Sequence, residues 1–142
     1  MIIQFYNADK PVRLSKRKSL KSYLASLFQK EGSDVESVTY IFCSDEYLLK
    51  INQDFLRHDD YTDIITFSLG NESAPTIGEI YISIDRVDEN ATLLKVIFHV
   101  ELHRVIFHGA LHLCGYKDKT TAEKKLMRKR EEFYLKGYGL SL

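Results

Sequence analysis

The stretch His108-Gly109-Ala110-Leu111-His112-Leu113-Cys114-Gly115-Tyr116-Lys117-Asp118 joins a helical pattern to a glycine turn. Positions four apart lie about 40° from each other around a helix, so His108 and His112 project from one face. Gly115 tolerates the backbone angles that end a helix and reverse the chain. The turn can bring Asp118 back towards the two imidazoles. The stretch therefore predicts a long helix that ends in a cluster of polar side chains.

Two imidazoles and a carboxylate form a ligand set for one divalent metal ion, and zinc is the ion that we expect. Three protein ligands leave a coordination position for water, as in catalytic zinc sites, whereas structural zinc usually has four protein ligands. The alternative is that His108 and His112 are packed core residues of a helix. The glycine turn and the carboxylate that follows favour a metal site formed by His108, His112 and Asp118.

Other polar residues near this stretch have simpler interpretations. His99 and His103 are also four apart, but they lie on nearly the opposite side of the helix and no third ligand follows them. We expect these two to be surface or packing residues. Glu101 should form an ion pair with Arg104 or support the site from outside the ligand set. We expect Cys114 to be a small buried residue rather than a ligand.

Hydrophobic periodicity on both sides of the stretch predicts four strands and about five helices. The predicted strands span residues 2–6, 37–43, 63–68 and 78–84. The first two predicted helices start at the caps Ser15 and Ser44. Residues 85–113 are predicted to be helical with a break near 91–94. The last helix runs from the capping box of Thr120 and Glu123 to about Lys136. Leu48, Ile51 and Phe55 should form the apolar stripe of the second helix.

The order of these elements indicates the fold class. A loop of hairpin length, residues 69–76, separates the third and fourth strands, and helices follow the others. This order predicts an α+β fold in which a small mixed four-stranded sheet packs against about five helices. The metal site would lie on the long helix and the turn after it, as in zincins. With no repeat or linker in 142 residues, we expect a single domain spanning residues 1–142.

The distribution of charge allows a polyanionic partner. The chain has 20 Lys and Arg and 20 Asp and Glu, but its two ends are basic and its middle is acidic. The basic groups that could hold a polyanion are Lys16, Arg17, Lys18, Arg128, Lys129 and Arg130. Two cysteines, no signal-like N-terminus and no long apolar run predict a cytoplasmic protein without a membrane span. Oligomeric state is not predicted by any of these features.

The motifs resemble those of the YbeY family of bacterial rRNA maturation factors. Residues 108–118 agree with the family pattern H-G-x-L-H-L-x-G-Y-D-H at nine of eleven positions, counting the free ones. Residues 52–67, NQDFLRHDDYTDIITF, are similar to N-x-x-Y-R-x-x-D-x-P-T-D-V-L-S-F, and residues 78–83, GEIYIS, are similar to G-D-I-x-I-S. Two of the departures from the family patterns matter for the site. Asp118 stands where the family has histidine. Leu56 stands where the family has arginine, and Arg57 is the next residue in the chain.

The resemblance implies a zinc-dependent endoribonuclease that is specific for single-stranded RNA, with one Zn²⁺ per chain. It implies roles in late 16S (small-subunit) rRNA processing, in maturation of the rRNA 3′ end and in ribosome quality control. The partners would be rRNA, the small ribosomal subunit and ribosome-associated proteins. The six basic residues named above would hold the RNA backbone. A metal-bound water would attack the phosphodiester, and Arg57 or Arg104 would stabilise the charge that develops on the phosphate.

Two other functions remain open from the sequence. The spacing of the ligands also resembles that of metzincin-like metalloproteases, but a zincin has glutamate directly after its first histidine and this chain has Gly109. Alternatively, the metal is structural and the protein is a non-enzymatic ribosome assembly factor.

Overall fold

The computed structural model describes residues 1–140, which form a four-stranded mixed sheet and five α-helices. The strands are β1 (Ile2–Asn7), β2 (Val35–Cys43), β3 (Ile64–Leu69) and β4 (Thr76–Ser83). The helices are α1 (Arg17–Lys30), α2 (Asp45–Ile51), α3 (Ile84–Leu94), α4 (Phe98–Leu113) and α5 (Thr121–Gly137). A π-helical turn, Asn52–Leu56, extends α2. The predicted α+β class and mixed sheet are confirmed.

The sheet has the strand order β1-β2-β4-β3. β1, β2 and β4 are parallel, and β3 pairs antiparallel with β4. Alternate residues of each strand face opposite sides, so the sheet separates two apolar clusters. Tyr40 and Ile80 face the larger cluster together with α1, α4 and α5. Cys43 and Ile65 face a smaller cluster beside α2.

Helix α4 is the central helix of the larger cluster, and most of its residues are buried. A Cβ atom on Gly109 would lie 2.9 Å from Ile64 Cδ1 and 2.9 Å from Ile80 Cγ2, so glycine permits the close approach of α4 to the sheet. The Tyr40 hydroxyl also donates to the Ile106 carbonyl at 2.8 Å. These contacts fix α4 against β2, β3 and β4. The position of its C-terminal histidines is therefore set by packing on the sheet.

Three details of the predicted helices are wrong. Ser15 does not cap α1, because the boundary residue is Lys16 in the left-handed conformation (φ 53°) and no side chain caps the helix. Phe55 is 67% exposed, because the π-helical turn changes the rotation per residue and takes Phe55 off the face of Leu48. The break near 91–94 lies slightly later, at Lys95 (φ 57°), which ends α3.

Other predicted boundaries are confirmed. The Ser44 side chain accepts from the Tyr47 amide and caps α2. Thr120 and Glu123 form the capping box that begins α5. No helix in residues 1–140 is long and apolar enough to cross a membrane.

Candidate metal centre

The structure brings His108, His112 and Asp118 together at the C-terminal end of α4. Asp118 Oδ2 lies 3.3 Å from His108 Nε2 and 3.2 Å from His112 Nε2. One potential ligand atom from each residue lies within 4.8 Å of the others. The two imidazole rings are nearly perpendicular, at 83°, with centroids 4.5 Å apart. The spacing in the sequence thus produces the cluster that it predicted.

The turn after α4 carries Asp118 back to the helix. Gly115 has a left-handed backbone with φ 101°, which a residue without a Cβ adopts readily. The Tyr116 amide then donates to the Leu111 carbonyl at 3.1 Å, which closes the end of the helix. Since α5 begins only at Thr121, residues 114–120 form a short loop that holds the carboxylate beside both rings.

Hydrogen bonds on the far side of each ring fix the imidazole tautomers. His112 Nδ1 lies 2.8 Å from the Tyr116 carbonyl oxygen, which can only accept, so Nδ1 carries the proton. His108 Nδ1 lies 2.5 Å from Glu131 Oε2. Burial opposes ionisation of Glu131, but His108 and Arg104 outweigh it and lower the pKa of this carboxyl. The carboxylate therefore also accepts from Nδ1.

With both protons on Nδ1, the Nε2 lone pairs of His108 and His112 face the Asp118 carboxylate. Lone pairs on these groups would repel at 3.2–3.3 Å, and either a proton on one Nε2 or a metal ion between the groups removes that repulsion. Two imidazole nitrogens and a carboxylate oxygen are the donors that zinc and related divalent ions accept. The histidines are also oriented by a carboxylate and a carbonyl, as metal-binding histidines usually are. This donor set fits one divalent metal ion.

A buried ion network lies beside the three residues. Arg104 Nε and Nη2 each donate to a Glu101 carboxylate oxygen at 2.7 Å, and Arg104 Nη1 donates to Glu131 at 2.9 Å. Both glutamates are almost completely buried. The predicted Glu101–Arg104 ion pair is confirmed. Because two carboxylates balance its charge, Arg104 has little positive charge left to offer a phosphate.

A cleft of about 900 Å³ opens beside the candidate site. Arg104, His108, His112, Asp118 and Lys119 line it, together with residues from β3 and from the segment around the π-helical turn. Its volume is in the range of ligand sites in proteins. The candidate metal ligands are therefore accessible to a substrate.

The remaining predicted site residues lie elsewhere. Arg57 is exposed and its neighbours Leu56 and His58, rather than Arg57 itself, line the cleft. The six basic residues predicted to hold RNA also lie outside the lining of the cleft. Lys16, Arg17 and Lys18 are exposed at the start of α1, and Arg128 and Lys129 are exposed on α5. Arg130 is half-buried and donates to Glu31 at 2.7 Å, so it ties α5 to the end of α1.

The packing residues behave largely as expected. His103 is completely buried, as a packing histidine should be. Cys114 is only half-buried, and the described residues place it outside the group that could hold a metal.

Sequence reasoning missed three residues of this region. Glu131 is 1% exposed and lies 23 residues from His108, so local spacing could not pair them. The sequence did indicate that Glu131 is buried, because it lies on the apolar face of α5 with Met127 and Leu135. Asp63 lines the cleft, and burial raises the pKa of its carboxyl. Lys119 lines the cleft as an exposed cation next to Asp118.

A family model described as Endoribonuclease YbeY matches residues 3–139. A Cytophaga hutchinsonii protein named Endoribonuclease YbeY is 49% identical over 130 residues, covering 92% of this chain and 91% of its own length. A Flavobacterium psychrophilum protein of the same name is 46% identical over 133 residues, covering 92% and 93%. The solution structure of TM1509 from Thermotoga maritima has a TM-score of 0.64 at 30% identity, covering 96% of this chain and 91% of that one.

Proposed function

This chain belongs to the endoribonuclease YbeY family, and on that premise we propose that it is a metal-dependent endoribonuclease that cleaves single-stranded RNA. The observation that carries the proposal is the convergence of His108, His112 and Asp118 on one point beside an open cleft. We further propose one zinc ion per chain. The substrate would be small-subunit rRNA in the cytoplasm, with roles in late processing, 3′-end maturation and ribosome quality control, in contact with the small subunit and its associated proteins.

His108 and His112 would hold the metal through Nε2 and Asp118 through a carboxylate oxygen. When bound, a divalent ion supplies Lewis-acid chemistry, which polarises a phosphate oxygen and makes a water molecule a stronger nucleophile. Glu131 and the Tyr116 carbonyl keep both rings in the ligating tautomer. Asp118 adds a negative charge where the family pattern has a neutral imidazole. Compared with a three-histidine site, this site therefore has a higher relative affinity for ions that prefer oxygen ligands.

We assign the cation that faces the phosphate to Lys119 rather than to Arg57 or Arg104. Arg57 is outside the lining of the cleft, and Arg104 is neutralised by Glu101 and Glu131. Lys119 lines the cleft, is exposed and follows Asp118 directly in the chain. Its ammonium group can therefore approach a phosphate that lies against the metal site, where it would stabilise developing negative charge.

Replacing Lys119 with alanine should lower kcat/KM for RNA cleavage by about tenfold and leave the metal content unchanged, because one charge contact to the phosphate is lost. Lys117→Ala is the matched control, since Lys117 is exposed in the same loop but does not line the cleft. Equal cleavage by the two variants would refute the assignment of Lys119.

The function itself is tested by removing and restoring metal. We expect chelator-treated protein to leave a single-stranded RNA intact, and one equivalent of Zn²⁺ per chain to restore internal cleavage, measured by gel electrophoresis of end-labelled RNA. The same sequence annealed into a duplex should resist cleavage. Cleavage that persists without metal would overturn the proposal. Stoichiometric metal binding without any cleavage would support the assembly-factor alternative instead.

The protease alternative gains no support from the geometry. A zincin needs a carboxylate directly after the first histidine to act as general base. Here that position is Gly109, which packs against Ile64 and Ile80 and carries no side chain. Nuclease activity does not require a base at this position.

A further inference from the structure

Tyr61 places an exposed aromatic ring in the wall of the metal cleft. It is one of the residues that line the cleft, and it is 53% exposed. Tyrosine is common on binding surfaces, because its ring offers a large and rigid contact area. The family pattern N-x-x-Y-R-x-x-D-x-P-T-D-V-L-S-F has proline at this position, so the ring is not part of the resemblance. The proposed metal chemistry does not use it either.

Arg86 holds the Tyr61 ring from one side. Its guanidinium carbon lies 5.3 Å from the centroid of the ring, which is a cation–π contact. Arg86 is itself fixed, because its Nη2 donates to Asp45 at 2.9 Å and its Nη1 lies 3.4 Å from Glu89. Since Arg86 covers one face and Tyr61 is still more than half exposed, the described part of the chain leaves the opposite face open to a ligand.

Asp63 anchors the segment that carries Tyr61 beside the metal site. Its Oδ2 accepts from Asn90 Nδ2 at 3.2 Å and lies 3.9 Å from Arg104 Nη2, on the helix that presents the two histidines. Two residues of chain span about 7 Å at most, so Tyr61 cannot lie far from this anchor. The ring and the candidate metal ligands line the same cleft, and one bound molecule can therefore contact both.

The charges in the cleft favour a base, rather than a phosphate, beside Tyr61. Asp60 precedes Tyr61 in the chain, is exposed and lines the cleft. Its carboxylate repels a phosphate, whereas Lys119, next to Asp118, attracts one. A nucleobase is uncharged and has two π faces, and it is the part of a nucleotide that stacks on aromatic side chains.

We propose that the Tyr61 ring is a stacking platform for one nucleobase of the RNA substrate, close to the phosphate that lies at the metal site. The inference rests on the proposed function, because it needs RNA in the metal cleft. A base can stack on the ring only when it is unpaired and turned out of its own stack. The platform would therefore bind single-stranded RNA of any sequence and discriminate against a duplex.

The test uses the full, zinc-loaded chain and a short oligouridylate with one central 2-aminopurine, a fluorescent base whose emission falls when it stacks on an aromatic ring. Emission is recorded by stopped flow directly after mixing, before cleavage proceeds. We expect binding to wild type to quench the emission. Tyr61→Ala should abolish this quenching and raise Kd about tenfold, because the stacking contact of one base is lost.

Two variants serve as controls for the aromatic face. Tyr61→Phe keeps the ring and should bind and quench like wild type. Tyr6→Ala removes a ring of nearly equal exposure, 52%, on β1 and outside the lining of the cleft, and should also behave like wild type. All variants should keep one zinc per chain, because neither tyrosine belongs to the group of candidate ligands.

RNA cleavage by the same variants gives a second measurement. Tyr61→Ala should raise KM about tenfold and leave kcat within about twofold of wild type, because stacking holds the substrate and the transition state equally. A lower kcat at unchanged KM would contradict the platform, since it would place the ring in the chemical step.

Three results of the fluorescence measurement would overturn the inference: unchanged quenching and Kd in Tyr61→Ala, a similar loss in Tyr6→Ala, or a loss in Tyr61→Phe, which would assign the effect to the hydroxyl. Cleavage by wild type without quenching would refute the platform and leave the nuclease standing. Quenching that depends on Tyr61, without cleavage by the zinc-loaded protein, would support the platform and refute the nuclease.

Discussion

Replacing His112 with alanine should leave the folded chain without stoichiometric metal and reduce cleavage of single-stranded RNA by about a thousandfold or more. Its Nε2 is one of three donors that face a common point, so the variant retains only His108 and Asp118. Two donors hold a divalent ion far less tightly than three. The His112 side chain is 25% exposed, so its loss should leave the fold intact.

The measurement combines metal content from mass spectrometry, circular dichroism to verify folding, and RNA cleavage. His58→Ala is the matched control, because His58 also lines the cleft but lies outside the group of ligands. It should keep a full complement of metal. A His112→Ala protein that retains one metal per chain would end the ligand assignment. Equal cleavage by the two variants would show that the activity comes from a contaminating nuclease.

The candidate ligands could be predicted because their arrangement is local. His108 and His112 are one helical turn apart, and Gly115 marks the turn that returns Asp118. Residues 108–118 alone are therefore enough to predict that the three side chains lie close together. The same holds for the caps of α2 and α5, where a side chain bonds an amide three residues away.

Features that depend on packing between distant elements were not predictable in this way. Glu131 reaches His108 only because α5 packs along α4, and sequence spacing does not encode that contact. The turn that exposes Phe55 follows from a local change to π-helical geometry, which an average period of 3.6 residues cannot show. Arg104 was expected to offer its charge to a phosphate, but a second carboxylate from another helix neutralises it.

The network around Glu131 leads to a second prediction with a large effect. Glu131→Gln should reduce the free energy of unfolding by about 3 kcal/mol, because the buried Arg104 loses one of the two carboxylates that are hydrogen-bonded to it. The same change should weaken metal binding by roughly 10- to 100-fold, since an amide holds the His108 Nδ1 proton less strongly than a carboxylate does. Chemical denaturation and a metal titration with a competing chelator measure the two effects.

Glu132→Gln is the control for this variant, because the neighbouring Glu132 is exposed and should tolerate the same substitution without either effect. The two measurements separate a structural role from a positioning role. A carboxylate that only stabilises the fold would change the denaturation midpoint and leave the metal affinity of the folded protein unchanged. We expect both to change, because Glu131 contacts Arg104 through Oε1 and His108 through Oε2. One buried side chain thus couples the stability of α4 and α5 to the orientation of a candidate metal ligand, and unchanged metal affinity in Glu131→Gln would refute that coupling.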